Sequence, residues 1–161
     1  MRTPMISLNA ATGLIEAISG ARGDPDQILH AVGLDRSTVC DPQGFVPCAD
    51  FSRLLQEAAR RTGDDAFGLH FGEQFQPKSI GPLIYVVLNS PTMAVAFDNA
   101  VRYLKVHNEG ARVTFTYDGT SAYLRQSLLG TVADAVRQQS EDSVVVGLGT
   151  LRLMAGSRWG P

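Results

Sequence analysis

The sequence predicts an α+β fold, mostly helical, in which about six to seven helices pack with one antiparallel β-hairpin. Three observations predict it. Most of the chain carries apolar residues at helical spacing, as in Phe51, Leu54, Leu55, Ala58 and Ala59, or Ile80, Leu83, Ile84, Val87 and Leu88. The period then switches once to strict alternation, with Val113, Phe115 and Tyr117 on one face and Arg112, Thr114 and Thr116 on the other. Asp118-Gly119 follows directly, a pair suited to a two-residue type I′ turn that needs positive φ at both positions.

The first helix is expected over Leu8 to Ser19, with Ala11, Leu14, Ile15 and Ile18 inward and Gly20 and Gly23 ending it. Asp24-Pro25 restarts a helix by cap and proline, Ile28, Leu29 and Val32 face inward, and Gly33 stops it. Asp35 to Pro47 contains Pro42, Gly44 and Pro47 and reads as a loop. A strong helix follows from Ala49 to Arg61. Gly63 ends it, and Asp64 caps a shorter helix with Phe67, Leu69 and Phe71.

The run from Gly81 to His107 holds two amphipathic helices around a break, with Ser90 as expected N-cap and Pro91 at the first helical position. Met93, Phe97, Ala100, Val101 and Leu104 make the second stripe. The return strand runs from Ser121 to Leu128, with Ala122, Leu124, Gln126 and Leu128 on one face and Tyr123, Arg125 and Ser127 on the other. The last helix is expected over Val132 to Ala155, its inner line Val136, Ser140, Ser143, Val144, Gly147, Leu148, Leu151 and Ala155. Small residues there (Ser140, Ser143, Gly147) suit close packing or dimerisation, and glycine in a helix needs such a reason because it costs about 1 kcal/mol relative to alanine. A lone hairpin is marginal as a sheet, so its apolar face must pack on helices or pair with strands lying elsewhere.

A chain of 161 residues with 44% hydrophobic and 19% charged residues fits one domain, residues 1–161. A net charge of −2 argues against a broad nucleic-acid surface. No apolar run reaches the roughly 18 residues of a membrane span, and no signal peptide is recognisable, so a cytoplasmic protein without membrane partners is expected. Cys40 and Cys48 have no second pair to complete a metal motif, and free thiols are the expected state.

Several short motifs occur in a fixed order. They are Asp24-Pro25 with Gly33-Leu34-Asp35, Val46-Pro47 before Phe51-x-x-Leu54-Leu55, and Thr62-Gly63-Asp64 with Phe67-Gly68-Leu69 and Gly72-Glu73. Next come Gly81-x-x-x-Tyr85-x-x-Leu88-x-Ser90-Pro91-Thr92, Ala96, Arg102-Tyr103, and the closing Gly156-x-x-Trp159-x-Pro161. In that order and spacing the chain, from about Gly23 to Pro161, resembles the N-terminal effector-binding domain of the arabinose-binding-like branch of AraC-type transcription regulators. It departs from the family pattern at Ile84, where a glycine is usual. The pattern also continues beyond the Trp-x-Pro into further strands and a pair of helix-turn-helix units. The resemblance therefore implies the sensor portion of a regulator: a domain that binds a small-molecule effector, forms a homodimer, and reaches DNA only through a C-terminal domain absent here.

A pocket needs apolar walls and a few convergent polar groups. Tyr85, Tyr103, His107, Tyr123 and Arg125 are the candidates for contacting the effector. Tyr103 and His107 lie one turn apart on the rim of an apolar stripe, and Tyr123 and Arg125 share a strand face. Arg125 suits a bidentate grip on a carboxylate, which would favour an amino acid or organic acid. The competing reading makes the tyrosines half-buried core residues and places Arg125 on a wet sheet face. A dimerisation module with no ligand of its own is the alternative function.

His30, His70 and His107 form no metal-ligating pattern, and no metal or cofactor is expected. No nucleophile elbow, P-loop or dinucleotide fingerprint is present, and Asp64-Asp65 and Glu141-Asp142 are adjacent rather than facing pairs that suit capping or surface roles. No catalytic residue is assigned, and an enzyme is not expected.

Overall fold

The computed structural model describes residues 2–74, 76–130 and 133–156. It is an α+β fold dominated by helices, eight α-helices with two antiparallel two-stranded sheets among the described residues. The second sheet was not expected. Strand β1 (Met5–Ser7) pairs with β2 (Phe45–Pro47), Met5 opposite Pro47 and Ser7 opposite Phe45. Each is three residues long, too short to display a period of two.

The expected helix over Leu8 to Ser19 is split. Residues Leu8–Ala11 form a 3-10 turn, Gly13 takes a left-handed φ of 82°, and α1 covers Leu14–Gly20. Helix α2 (Pro25–Ala31) begins as expected: the Asp24 carboxylate accepts the backbone N–H groups of Asp26 and Gln27 at 3.0 and 3.3 Å. The stretch read as a loop contains a short helix, α3 (Arg36–Val39), capped by Asp35, as well as β2. Helix α4 (Cys48–Thr62) buries Phe51, Leu54, Leu55, Ala58 and Ala59, the face its spacing indicated. Gly63 closes it at φ 73°, and α5 (Phe67–Glu73) follows. Leu14, Ile18, Ile28, Leu29, Phe51, Leu54, Leu55 and Phe67 lie in one apolar core. Burying each such side chain contributes about 1.5–3 kcal/mol.

The second half begins with a 3-10 turn at Pro77–Ile80 and helix α6 (Leu83–Leu88), which buries Leu83, Ile84 and Val87. Ser90 does not cap the next helix. Its hydroxyl donates back to the Val86 carbonyl at 2.8 Å, closing α6 instead. Thr92, in extended backbone, accepts from Val95 N–H at 3.2 Å and caps α7 (Met93–His107). The hairpin follows as β3 (Ala111–Tyr117) and β4 (Ala122–Leu128), with Tyr117 opposite Ala122. Its connection is a four-residue loop, not a two-residue turn. Asp118 accepts the N–H groups of Thr120 and Ser121 at 2.9 and 2.7 Å, and within the loop only Gly119 has positive φ. The hairpin packs on helices: Phe115 stacks on Phe97 with ring centres 4.7 Å apart.

A 3-10 turn (Ala133–Ala135) leads into α8 (Val136–Ala155). The expected start at Val132 and the closing Trp159 and Pro161 lie outside the described residues. The inner line of α8 differs from expectation. Val144 is 67% exposed, whereas Gln138, Gln139 and Asp142 are buried. Polar residues on the inner face had hidden it from a reading based on apolar spacing. The close approach in this region belongs to α5. A Cβ on Gly68 would stand 2.0 Å from the Gln138 carbonyl oxygen, and one on Gly72 would stand 2.9 Å from that of Asp142. No helix among the described residues is long and apolar enough to cross a membrane.

Candidate functional site

Helices α6, α7 and α8, the hairpin and the edge of α4 line a partly open cavity of about 160 Å³. Its walls follow from the amphipathic faces just described. Leu83 and Val87 come from α6, Ala100 and Leu104 from α7, Val113 and Leu124 from the hairpin, Phe51 from α4 and Val146 from α8. A chamber with mostly apolar walls and few polar groups is the usual form of a small-molecule site.

The polar groups are sparse and incompletely satisfied. His107, in the last turn of α7, lines the cavity, and its Nδ1 is buried without a hydrogen-bond partner. Burial lowers its pKa to about 4, so the ring is neutral at pH 7. Asp142 on α8 is 6% exposed. Burial raises its carboxyl to about 8, and among the described residues no ion pair or hydrogen bond offsets the rise. Ser79 Oγ, in the turn before α6, is also buried and unpartnered.

Three other polar side chains at the wall, those of Asn108, Gln139 and Thr150, are already committed. Asn108 Oδ1 accepts the Gly110 N–H at 3.0 Å, Gln139 bonds the buried Ser52 hydroxyl, and the Thr150 hydroxyl donates to Val146 O at 2.9 Å. Among the described residues, no lysine or arginine lines the cavity.

Of the five residues expected to contact an effector, the structure brings only His107 to this cavity. Tyr85 is 71% exposed on the outer side of α6, and Tyr103 is exposed on α7. Tyr123 and Arg125 occupy the solvent face of β4, where the guanidinium lies 5.7 Å from the Tyr123 ring centre. Strand alternation explains their position: Leu124 and Gln126 of the same strand turn inward.

Ser143 and Gly147, expected at a close contact, line the cavity instead. A Cβ added to Gly147 would meet no atom within 4 Å, so no element packs closely at that point. Ser140 turns its hydroxyl to the Val136 carbonyl of its own helix at 2.8 Å.

Asp142 is the residue that sequence reasoning missed, having assigned Glu141-Asp142 a surface role. A signal was present. Gln139, Asp142, Ser143, Val146, Gly147 and Thr150 recur at i, i+3, i+4, i+7, i+8 and i+11, a helical face built largely from polar and small residues.

Asp64 and Asp65 pair with His70 and Arg137. Cys40 and Cys48 are free thiols, the first exposed and the second buried. Among the described residues no group of three or more His, Cys, Asp or Glu side chains could hold a metal ion.

A family model described as the N-terminal arabinose-binding domain of AraC transcription regulators matches residues 23–161. No curated protein matches the chain.

Proposed function

The chain belongs to the family of N-terminal arabinose-binding domains of AraC transcription regulators, and we propose that it senses a small-molecule effector bound in the cavity between α6, α7, α8 and the hairpin. The observation that carries this reading is the cavity itself, with its apolar walls and the unpartnered polar groups of Ser79 and His107 beside Asp142. An unpartnered buried polar group costs about 1–3 kcal/mol. A ligand that satisfies such groups recovers part of that cost.

A coupling mechanism is available in the packing. The cavity is walled by elements from both ends of the second half, so an occupant touches α7, the hairpin and α8 at once. An effector shifts a regulator only by binding two conformations unequally. In this proposal an effector that draws the hairpin and α8 together biases the homodimer, and through it a C-terminal helix-turn-helix domain. DNA contact belongs to that further domain and not to this one.

Native mass spectrometry of the purified chain, with melting curves across a panel of small amines, alcohols, acids and sugars, tests the reading. A bound mass or a concentration-dependent rise in melting temperature is the expected result, because ligand binding stabilises by mass action. A flat response throughout, with a tight dimer by light scattering, would favour a dimerisation module without its own ligand.

A further inference from the structure

Resting on the sensing role just proposed, we infer that the cavity takes a small apolar amine, an alkyl or arylalkyl ammonium whose charged head pairs with Asp142 and whose hydrocarbon body lies along Leu83, Val87, Leu104 and Leu124. Three observations carry the inference.

The first is charge. No lysine or arginine is among the described residues that line the cavity, so a carboxylate or phosphate ligand would find no counter-charge in them. The second is satisfaction. A buried carboxyl group without a partner is costly, and an incoming cation removes that cost by pairing with it. Beside Asp142, Ser79 Oγ and His107 Nδ1 are buried and unpartnered in the same cavity. A hydroxyl oxygen and a neutral imidazole nitrogen both accept from N–H, and an ammonium head carries three N–H donors. The third is the wall. Its predominantly apolar lining fits a hydrocarbon body and leaves the many hydroxyls of a sugar without partners.

Among the described residues, no positively charged group lines the cavity with Asp142. Helix α5 meets it through Gly72, α4 brings Phe51 to the same cavity, and the hairpin brings Leu124 and Gln126. Among the described residues, His107 of α7 is the only other titratable side chain lining the cavity. Binding therefore has a proton balance. The ammonium keeps its proton, the Asp142 carboxyl gives up its own, and that proton leaves to the buffer as the ion pair forms.

Calorimetric titration of the chain at pH 7 with n-hexylamine, n-hexanol and hexanoate, in two buffers of different ionisation enthalpy, tests the proposal. Hexylamine is expected to bind at least about tenfold more tightly than hexanol, as a charge-assisted hydrogen bond implies, with hexanoate weakest. The buffer dependence should report proton release with hexylamine and none with hexanol. Asp142→Asn should keep hexanol binding and lose the preference for the amine.

Equal binding of hexylamine and hexanol, tighter binding of hexanoate, or amine binding without proton release would overturn the amine assignment and leave the sensing role standing. No binding of any of the three would overturn both. The proton count is made on the unsubstituted chain, so the test holds even if the Asp142→Asn variant does not fold.

Discussion

The backbone N–H of Gly68 donates to the side-chain oxygen of Gln138 at 2.7 Å, and the same glycine lies so close to α8 that a Cβ would stand 2.0 Å from the Gln138 carbonyl oxygen. Gln138 also donates from its amide to the Asp65 carbonyl at 2.8 Å. One buried glutamine thus ties the entry of α5 to α8. One turn further along α8, Gly72 makes the same kind of approach to Asp142. The contact that holds the helices together therefore also fixes the carboxyl group at the cavity wall.

Gly68→Ala is expected to be strongly destabilising. The added methyl would meet backbone, which cannot rotate away, so α5 and α8 must separate. Overpacking of this kind costs about 1–3 kcal/mol and occasionally more, and the near-contact here places the substitution at the upper end. Urea unfolding should show the loss as a lower midpoint at unchanged slope. A stability within about 0.5 kcal/mol of the unsubstituted chain would mean that α5 and α8 do not pack this closely.

Stability should depend on pH in two opposed ways. Asp142 has its pKa raised to about 8 in the fold from an ordinary 3.8, so the native state holds that proton more tightly. Its contribution is fully present below about pH 4 and is lost as pH rises through about 8. His107 is lowered to about 4 from 6.5, so its contribution is present above 6.5 and is lost as pH falls through about 4. The two oppose each other between roughly pH 4 and 6.5; above that Asp142 acts, together with the exposed His70, whose pKa its hydrogen bond to Asp64 raises. Melting temperature should therefore decline from about pH 6.5 to 8.5, and Asp142→Asn should flatten that decline. An equally steep decline in the variant would show that Asp142 is not buried in its neutral form.

Arg125→Ala should leave both stability and ligand response nearly unchanged. The side chain is on the solvent face of β4, resting on Tyr123. Exposed substitutions of this kind usually stay within about 0.5 kcal/mol. Loss of an effector-induced melting shift in this variant would bring the outer face of the hairpin back into the site.

Much of the fold was legible because burial here follows apolar spacing in α2, α4, α6 and the first half of β3. The faces of Ile28 and Leu29, of Phe51 to Ala59 and of Leu83 to Val87 lie as their periods indicated. The failures have particular causes. Strands β1 and β2 were too short to show a period. Ser90 carried the chemistry of a cap but spends its hydroxyl on α6, leaving the cap to Thr92.

The site was harder to read. Helix α8 turns Gln138, Gln139 and Asp142 inward and leaves Val144 outside, the reverse of what hydrophobicity suggests. A cavity wall has to carry polar groups for its ligand, so the pattern that finds a core misplaces a site. His107, which borders an apolar stripe, lines the cavity, while Tyr85, Tyr103, Tyr123 and Arg125 lie away from it. Position along a strand or helix decides which side chains reach it.

The most direct test of the cavity as the effector site is Gly147→Leu. Gly147 lines the cavity, and a Cβ there meets no atom within 4 Å, so leucine has room to occupy space a ligand would use. Replacing a helical glycine also gains up to about 1 kcal/mol in helix propensity, so blocking the site need not cost stability. Melting curves should be measured for both proteins across short-chain amines, alcohols and acids. The expected result is that at least one compound raises the melting temperature of the unsubstituted chain by roughly 5 °C at saturating concentration. The leucine variant should melt no lower without ligand and show no shift with that compound. An equal shift in both proteins would contradict the assignment of the cavity as the site.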